Sequence, residues 1–85
     1  MNPISDIKRF VLRALLRLEG MPWPDALLDD TVRQALLPRP LQSDIHQAKR
    51  ELESDGYLQA SRDELDGLLT WTLTGKGRHK AKELN

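Results

Sequence analysis

The chain has 85 residues, of which 31% are charged and 39% hydrophobic, and its formal net charge at pH 7 is zero. This length and composition are typical of one globular domain, expected to span residues 1–85, and exclude a disordered chain. There is no cysteine, which excludes disulfides and thiolate metal sites. No run approaches the roughly 18 apolar residues of a membrane span. The start of the chain does not resemble a signal peptide, so we expect a cytoplasmic protein.

Charge is distributed unevenly along the chain. Residues 41–67 carry seven acidic and three basic side chains, a net charge of −4, whereas residues 68–85 carry four basic and one acidic, a net charge of +3. Electric fields act locally, so a neutral total does not exclude nucleic acid as a partner. The neutral total does, however, remove the argument for a nucleic-acid partner that a strongly basic composition would provide.

The first predicted helix starts after Asn2, with Pro3 at its first position, and ends at Gly20. Apolar residues recur along one face at helical spacing, which predicts the face that enters the core. These residues are Ile4, Ile7, Val11, Ala14, Leu15 and Leu18.

The same helix carries two other sets of residues. Leu12 and Leu16 lie off the apolar stripe, so they need a second cover. The closing helix of the domain is one candidate, and a second copy in a two-fold homodimer is the other. Arg9, Arg13 and Arg17 form a basic ridge that predicts an acidic protein or phosphate partner, because like charges at this spacing repel one another.

Two more helices follow a stiff connector, Pro22-Trp23-Pro24. Its prolines make a poor strand, so we expect a first strand there to be either present or vestigial. The second helix begins at about Asp25 and is stopped by Pro38-Arg39-Pro40. The third is predicted over about 42–55, with Gly56 as its C-cap. Its inner stripe consists of Leu41, Ile45, Ala48 and Leu52. A rotation of about 100° per residue places a polar set on its outer face: Ser43, His46, Gln47, Arg50 and Ser54.

After Gly56 the pattern becomes alternating and predicts two strands, over 57–61 and 68–73. Asp66-Gly67 is a typical hairpin turn between them. Thr74 is the expected cap of a last helix running from Gly75 to Leu84. We expect Trp71 to pack the hairpin onto the first helix.

The order of three helices, a two-stranded hairpin wing and a short C-terminal helix is that of an α+β fold, the winged helix-turn-helix. Two passages resemble small stand-alone bacterial winged-helix proteins of the MarR/PadR-like kind. Lys49–Leu58 is similar to the "LExxGyL" passage that joins the third helix to the first wing strand. Trp71–Arg78 is similar to the "YxLTxKGR" passage that joins the second wing strand to the closing helix. With the order of helices and strands included, the resemblance spans nearly the whole chain.

This resemblance implies a bacterial or phage DNA-binding protein, a homodimeric transcriptional regulator or DNA-associated accessory protein. In such proteins the third helix lies in the major groove and the wing touches the backbone. Arginine and glutamine are the usual readers of guanine and adenine. Carried over residue by residue, the resemblance implies DNA contacts at Ser43, His46, Gln47, Arg50, Arg62, Lys76 and Arg78.

The wing keeps an alternative open. Its loop carries Asp63, Glu64 and Asp66 against Arg62 alone, and a phosphate backbone repels such a loop. This favours a protein–protein interaction module on a winged-helix scaffold that does not bind DNA. Arg50 likewise has an alternative role, as an ion-pair partner of a neighbouring glutamate, Glu51 or Glu53.

Catalysis finds no support in the sequence. A glycine-rich phosphate loop, a nucleophile elbow and a pair of carboxylates at informative spacing are all missing from it. His46 and His79 lack neighbours at metal-ligand spacing. We therefore predict a protein that is not an enzyme and that uses no cofactor and no metal.

Overall fold

The computed structural model describes residues 2–18 and 21–84. The predicted order of helices and strands is confirmed, and a short strand is added between the first two helices. The elements are α1 (Pro3–Arg17), β1 (Trp23–Pro24), α2 (Asp25–Ala35), α3 (Gln42–Ser54), β2 (Leu58–Arg62), β3 (Leu69–Leu73) and α4 (Gly75–Glu83).

The helix ends follow the local signals in the sequence. Asn2 caps α1, its Oδ1 accepting a hydrogen bond from the backbone N–H of Ile4 at 3.0 Å. Gly56 follows α3 with φ of 84°, the left-handed conformation that glycine adopts at helix C-termini. Thr74 caps α4 by accepting from the N–H of Gly77 at 3.0 Å. The predicted end of the first helix at Gly20 lies outside the described residues.

The sheet is antiparallel with strand order β1-β3-β2. The two-residue strand β1 forms despite its prolines: Trp23 lies opposite Trp71, and Pro24 opposite Thr70. It does so at an edge of the sheet, where proline is tolerated. The hairpin strands begin one residue later than the alternation predicts, at Leu58 and Leu69.

The core lies between the helices and the inner face of the sheet. Its buried residues are Ile7, Val11, Leu12, Leu15, Leu28, Val32, Ile45, Ala48, Leu52, Leu58, Trp71 and Ala81. The inner stripes predicted for α1 and α3 account for most of the helical ones.

The second apolar set of α1 is covered by the domain itself. Leu12 is only 3% exposed, and Leu16 is half-buried against the core. The closing helix α4 packs along α1, with Ala81 fully buried. Of the two covers considered for Leu12 and Leu16, the structure therefore favours the closing helix, because α4 lies close enough to α1 to complete the core. Leu12 is thus not available to a second copy, and a homodimer that uses Leu16 stays a prediction.

Candidate nucleic-acid interface

The outer face of α3 is a polar surface open to solvent. Ser43, His46, Gln47 and Arg50 are all exposed on it, as the helical rotation predicts. This face forms one wall of an open groove, and the hairpin forms the other wall through Ala60 and Leu69 among other residues. The four residues of α3 for which the resemblance implies DNA contacts are therefore brought together on one surface.

Beneath this groove lies a lysine that the core has enclosed. Lys49 is 1% exposed, and its Nζ donates to Oδ1 of Asp25 and to Oδ1 of Asp29, each at 2.5 Å. The same ammonium lies 5.9 Å from the centre of the Trp71 ring, within cation–π range. A buried charge is tolerated only when it is paired in this way.

The network joins three elements. Trp71 of β3 donates from Nε1 to Oδ1 of Asp25 at 2.7 Å. Gln42, in the first turn of α3, donates from Nε2 to Oδ2 of Asp29 at 2.8 Å. Together with Lys49, these bonds tie α3 to both α2 and the wing, so buried and partly buried polar contacts fix the orientation of α3 relative to the hairpin.

The Asp25 carboxyl feels two opposing influences. Burial by itself raises the pKa of Asp25, but the hydrogen bonds from Lys49 and Trp71 outweigh that effect and hold the pKa below its usual value. The charged form is thus the form that the folded protein favours.

Sequence reasoning missed this network, although a signal was present. Lys49 follows Ile45 by four positions and precedes Leu52 by three, which places it on the buried face of α3. Asp25 and Asp29 are spaced by four residues on α2, one turn apart. A lysine on an apolar stripe together with two aligned aspartates predicts a buried ion-pair cluster.

Part of the acidic flank of α3 is neutralised from outside the helix. Oε1 of Glu51 lies 2.6 Å from Nζ of Lys8 on α1, and its Oε2 accepts from Nε2 of Gln47 at 2.8 Å. These hydrogen bonds hold the pKa of Glu51 below its usual value. The alternative pairing of Arg50 with Glu51 or Glu53 does not occur, and within the described ranges Arg50 forms no ion pair.

The other three predicted contact residues lie apart from this face. Arg62 ends β2 and donates from Nη1 to the carbonyl of Gly67 at 2.8 Å. Lys76, on α4, donates to the carbonyl of Asp55 at 2.7 Å and lies 4.9 Å from the centre of the Tyr57 ring. Arg78 is half-buried on α4. Lys76 therefore fastens the closing helix to the end of α3.

The wing loop uses two of its carboxylates to shape its own turn. Oδ1 of Asp63 accepts from the N–H groups of Leu65 at 2.7 Å and Asp66 at 3.3 Å. Oδ1 of Asp66 accepts from the N–H of Leu68 at 2.8 Å. Aspartate commonly makes such bonds two residues along the chain. The acidic character of the wing thus has a structural reason for two of its three carboxylates.

Within residues 2–18 and 21–84, no three His, Cys, Asp or Glu side chains are grouped so as to hold a metal ion. No helix in those ranges has the length and apolar character that crossing a membrane requires.

Comparison with known proteins shows similarity of structure. No family model and no curated protein sequence matches the chain. A double mutant of Lactococcus lactis ZitR in apo form is similar with a TM-score of 0.73 and 18% identity, over 94% of this chain and 55% of that one. SSV1 F-93 is similar with a TM-score of 0.74 and 24% identity, over 92% and 80%.

A third similar structure is smu.1704 from Streptococcus mutans UA159, with a TM-score of 0.71 and 18% identity, over 91% of this chain and 74% of that one. This chain thus spans about half the length of ZitR and about three quarters or more of the other two. The helices, the hairpin and their order, shared with these structures, establish that the chain adopts the α+β winged helix-turn-helix fold.

Proposed function

We propose that this chain is a DNA-binding protein, a small transcriptional regulator or accessory protein of the MarR/PadR-like kind, and not an enzyme. The observation that carries the proposal is the exposed polar face of α3, held in a fixed orientation by the buried Lys49 network. A helix presented in this way beside a hairpin suits the major groove of duplex DNA.

The roles of the side chains follow from their chemistry. Arg50, with no ion pair among the described residues, is free to bind guanine through two hydrogen bonds. Gln47 suits adenine, once its amide leaves the Glu51 carboxylate. Ser43 and His46 supply shorter polar contacts to bases or phosphates. We assign backbone contacts to Arg62, Lys76 and Arg78.

The experiment is a fluorescence titration of labelled duplex DNA at low and moderate salt. Random duplex is used first, and a preferred sequence is then selected from a random pool. Binding that weakens steeply with salt is expected, because cations displaced from the phosphates are released on binding. Absence of binding to random duplex at about 50 mM salt contradicts the proposal, since non-specific binding is strong under those conditions.

Two matched variants separate base reading from general charge. Arg50→Ala is expected to cost about 1–3 kcal/mol at the selected site and to relax the preference there. Lys82→Ala removes an exposed cation of α4. It is expected to change the affinity little, both for the selected sequence and for random duplex. Equal losses in the two variants would show that Arg50 does not read a base.

The acidic wing favours one second candidate, a protein-interaction module that does not bind DNA. Absence of DNA binding in the titration, combined with an intact fold by circular dichroism, would favour this candidate.

A further inference from the structure

Two surfaces of the molecule play no part in the proposed DNA contact by α3. The first is the wing tip, residues 63–66. Leu65 is 98% exposed at its end, between the carboxylates of Glu64 and Asp66. The Asp63 and Asp66 side chains bond only within the hairpin, so the turn holds Leu65 outward. The hairpin therefore presents one apolar side chain to solvent between two carboxylates.

The second surface is a groove between α1 and the segment that joins α2 to α3, here named the connector groove. Phe10 and Leu36 line it from the core side, where both are half-buried. Leu37 and Leu41 line it from the connector, and they are 85% and 67% exposed. The groove therefore offers an apolar bed that the chain itself leaves uncovered.

The rim of the connector groove is basic. Arg9, Arg13 and Arg39 lie along it with two carboxylates, Asp6 and Asp44, which leaves a net charge of +1. Arg9 is only loosely paired, with Nη1 at 3.9 Å from Oδ1 of Asp6. Arg13 donates to the carbonyl oxygen of Leu84 at 3.0 Å and so keeps its full charge. Arg39 is exposed and forms no ion pair with any described residue.

We infer that the wing tip of one copy binds in the connector groove of a second copy, with Leu65 against Leu37 and Leu41 and with Glu64 facing the arginines. Charge complementarity carries the choice of occupant. The loop from Arg62 to Gly67 has a net charge of −2, opposite in sign to the groove. The loop also carries an exposed leucine, Leu65, at its end. An apolar groove with a basic rim can accept such a leucine together with its acidic neighbours.

The geometry makes the contact one between copies. No residue of the wing tip lines the connector groove of its own chain. Tip and groove are different surfaces, so a pair joined through one such contact keeps one free tip and one free groove, through which association can continue head to tail. The contact is small, so it is weak in solution and weakens further with salt. It leaves the outer face of α3 free, so neighbouring copies bound along a duplex would support one another.

The test measures association in the absence of DNA, so it is independent of the proposed function. Sedimentation velocity of the wild-type chain is expected to show a weight-average mass that rises from micromolar to high micromolar concentration at low salt. Leu65→Ser removes the apolar tip, and Arg39→Glu reverses a rim charge; each is expected to weaken association about tenfold or more. Leu27→Ser and Arg50→Glu are the matched controls, exposed positions outside both surfaces, and are expected to associate like wild type.

Mixing the two interface variants gives the decisive result. Arg39→Glu protein keeps an intact tip and Leu65→Ser protein keeps an intact groove, so an equimolar mixture is expected to form a one-to-one pair although each alone stays monomeric. An interface that pairs like surfaces, tip with tip or groove with groove, does not predict this rescue. A wild-type chain that stays monomeric at high micromolar concentration, variants that associate like wild type, or a mixture that remains monomeric would each overturn the inference.

Discussion

The ammonium of Lys49 on α3 lies 2.5 Å from the carboxylate of Asp29 on α2, and both side chains are buried. A pair of full charges inside so small a domain allows α2 and α3 to pack in only one relative position. If α3 slides or rotates, a buried charge loses its partner, which is costly, whereas a purely apolar contact would tolerate the shift. This contact therefore ties the stability of the fold to the orientation of the helix that we propose enters DNA.

Replacing Lys49 by Met is expected to lower the free energy of unfolding by about 3–5 kcal/mol, because Asp29 then stays buried without a cation. Urea unfolding at neutral pH, followed by circular dichroism, measures the loss. Lys82→Met, at an exposed position, is the control and should change stability by less than about 0.5 kcal/mol. Adding Asp29→Leu to Lys49→Met should recover part of the loss, and a Lys49→Met protein as stable as wild type would refute the prediction.

Stability is expected to fall in acid partly through Asp25. Its folded-state pKa is lowered, so ionised Asp25 stabilises the fold above its unfolded pKa of about 4. That contribution is lost as the pH falls through the lower, folded-state pKa. Urea unfolding at a series of pH values from neutral to acid measures it. Asp25→Asn should be less stable than wild type at neutral pH, and the difference should shrink in acid. A difference that stays constant with pH would show that ionised Asp25 contributes nothing.

The wing carboxylates provide a test of where the wing lies relative to DNA. Asp63→Asn combined with Asp66→Asn keeps the oxygen acceptors that shape the turn and removes two negative charges. If the wing lies beside the phosphates, the double variant should bind duplex DNA more tightly, with the largest gain at low salt. The same titration of labelled duplex measures it. Unchanged affinity at all salt concentrations would show that the wing points away from the duplex.

Two glycines of α4 form a matched pair for testing close packing. A Cβ added at Gly77 would lie 2.0 Å from the carbonyl oxygen of Tyr57, whereas one added at Gly75 would meet nothing within 4 Å. Gly77→Ala is expected to destabilise the fold by about 1–3 kcal/mol or more, because backbone must move. Gly75→Ala should be neutral or stabilising by up to about 1 kcal/mol. Thermal unfolding measures the stability of both variants, and equal melting temperatures would contradict the packing argument.

Much of the fold could be predicted because its signals are local. The cap residues Asn2 and Thr74, the left-handed Gly56 and the alternation from Leu69 to Leu73 each act within one turn or one strand. The polar outer face of α3 was predicted for the same reason, since its side chains follow the helical period. Whether the two-residue strand β1 forms stayed open, because its pairing with β3 depends on a partner far away in the chain.

The sequence by itself determined the order of the elements, the caps that bound several of them, and the polar face that α3 shows to solvent, because these depend on backbone preferences and side-chain period. Only the tertiary structure decided that α4 covers Leu12 and that Lys49 is buried with Asp25 and Asp29. Those partners lie 24 and 20 positions away along the chain. Such contacts exist only once packing brings distant segments together, and the free energy of excluding water from a paired charge depends on that packing.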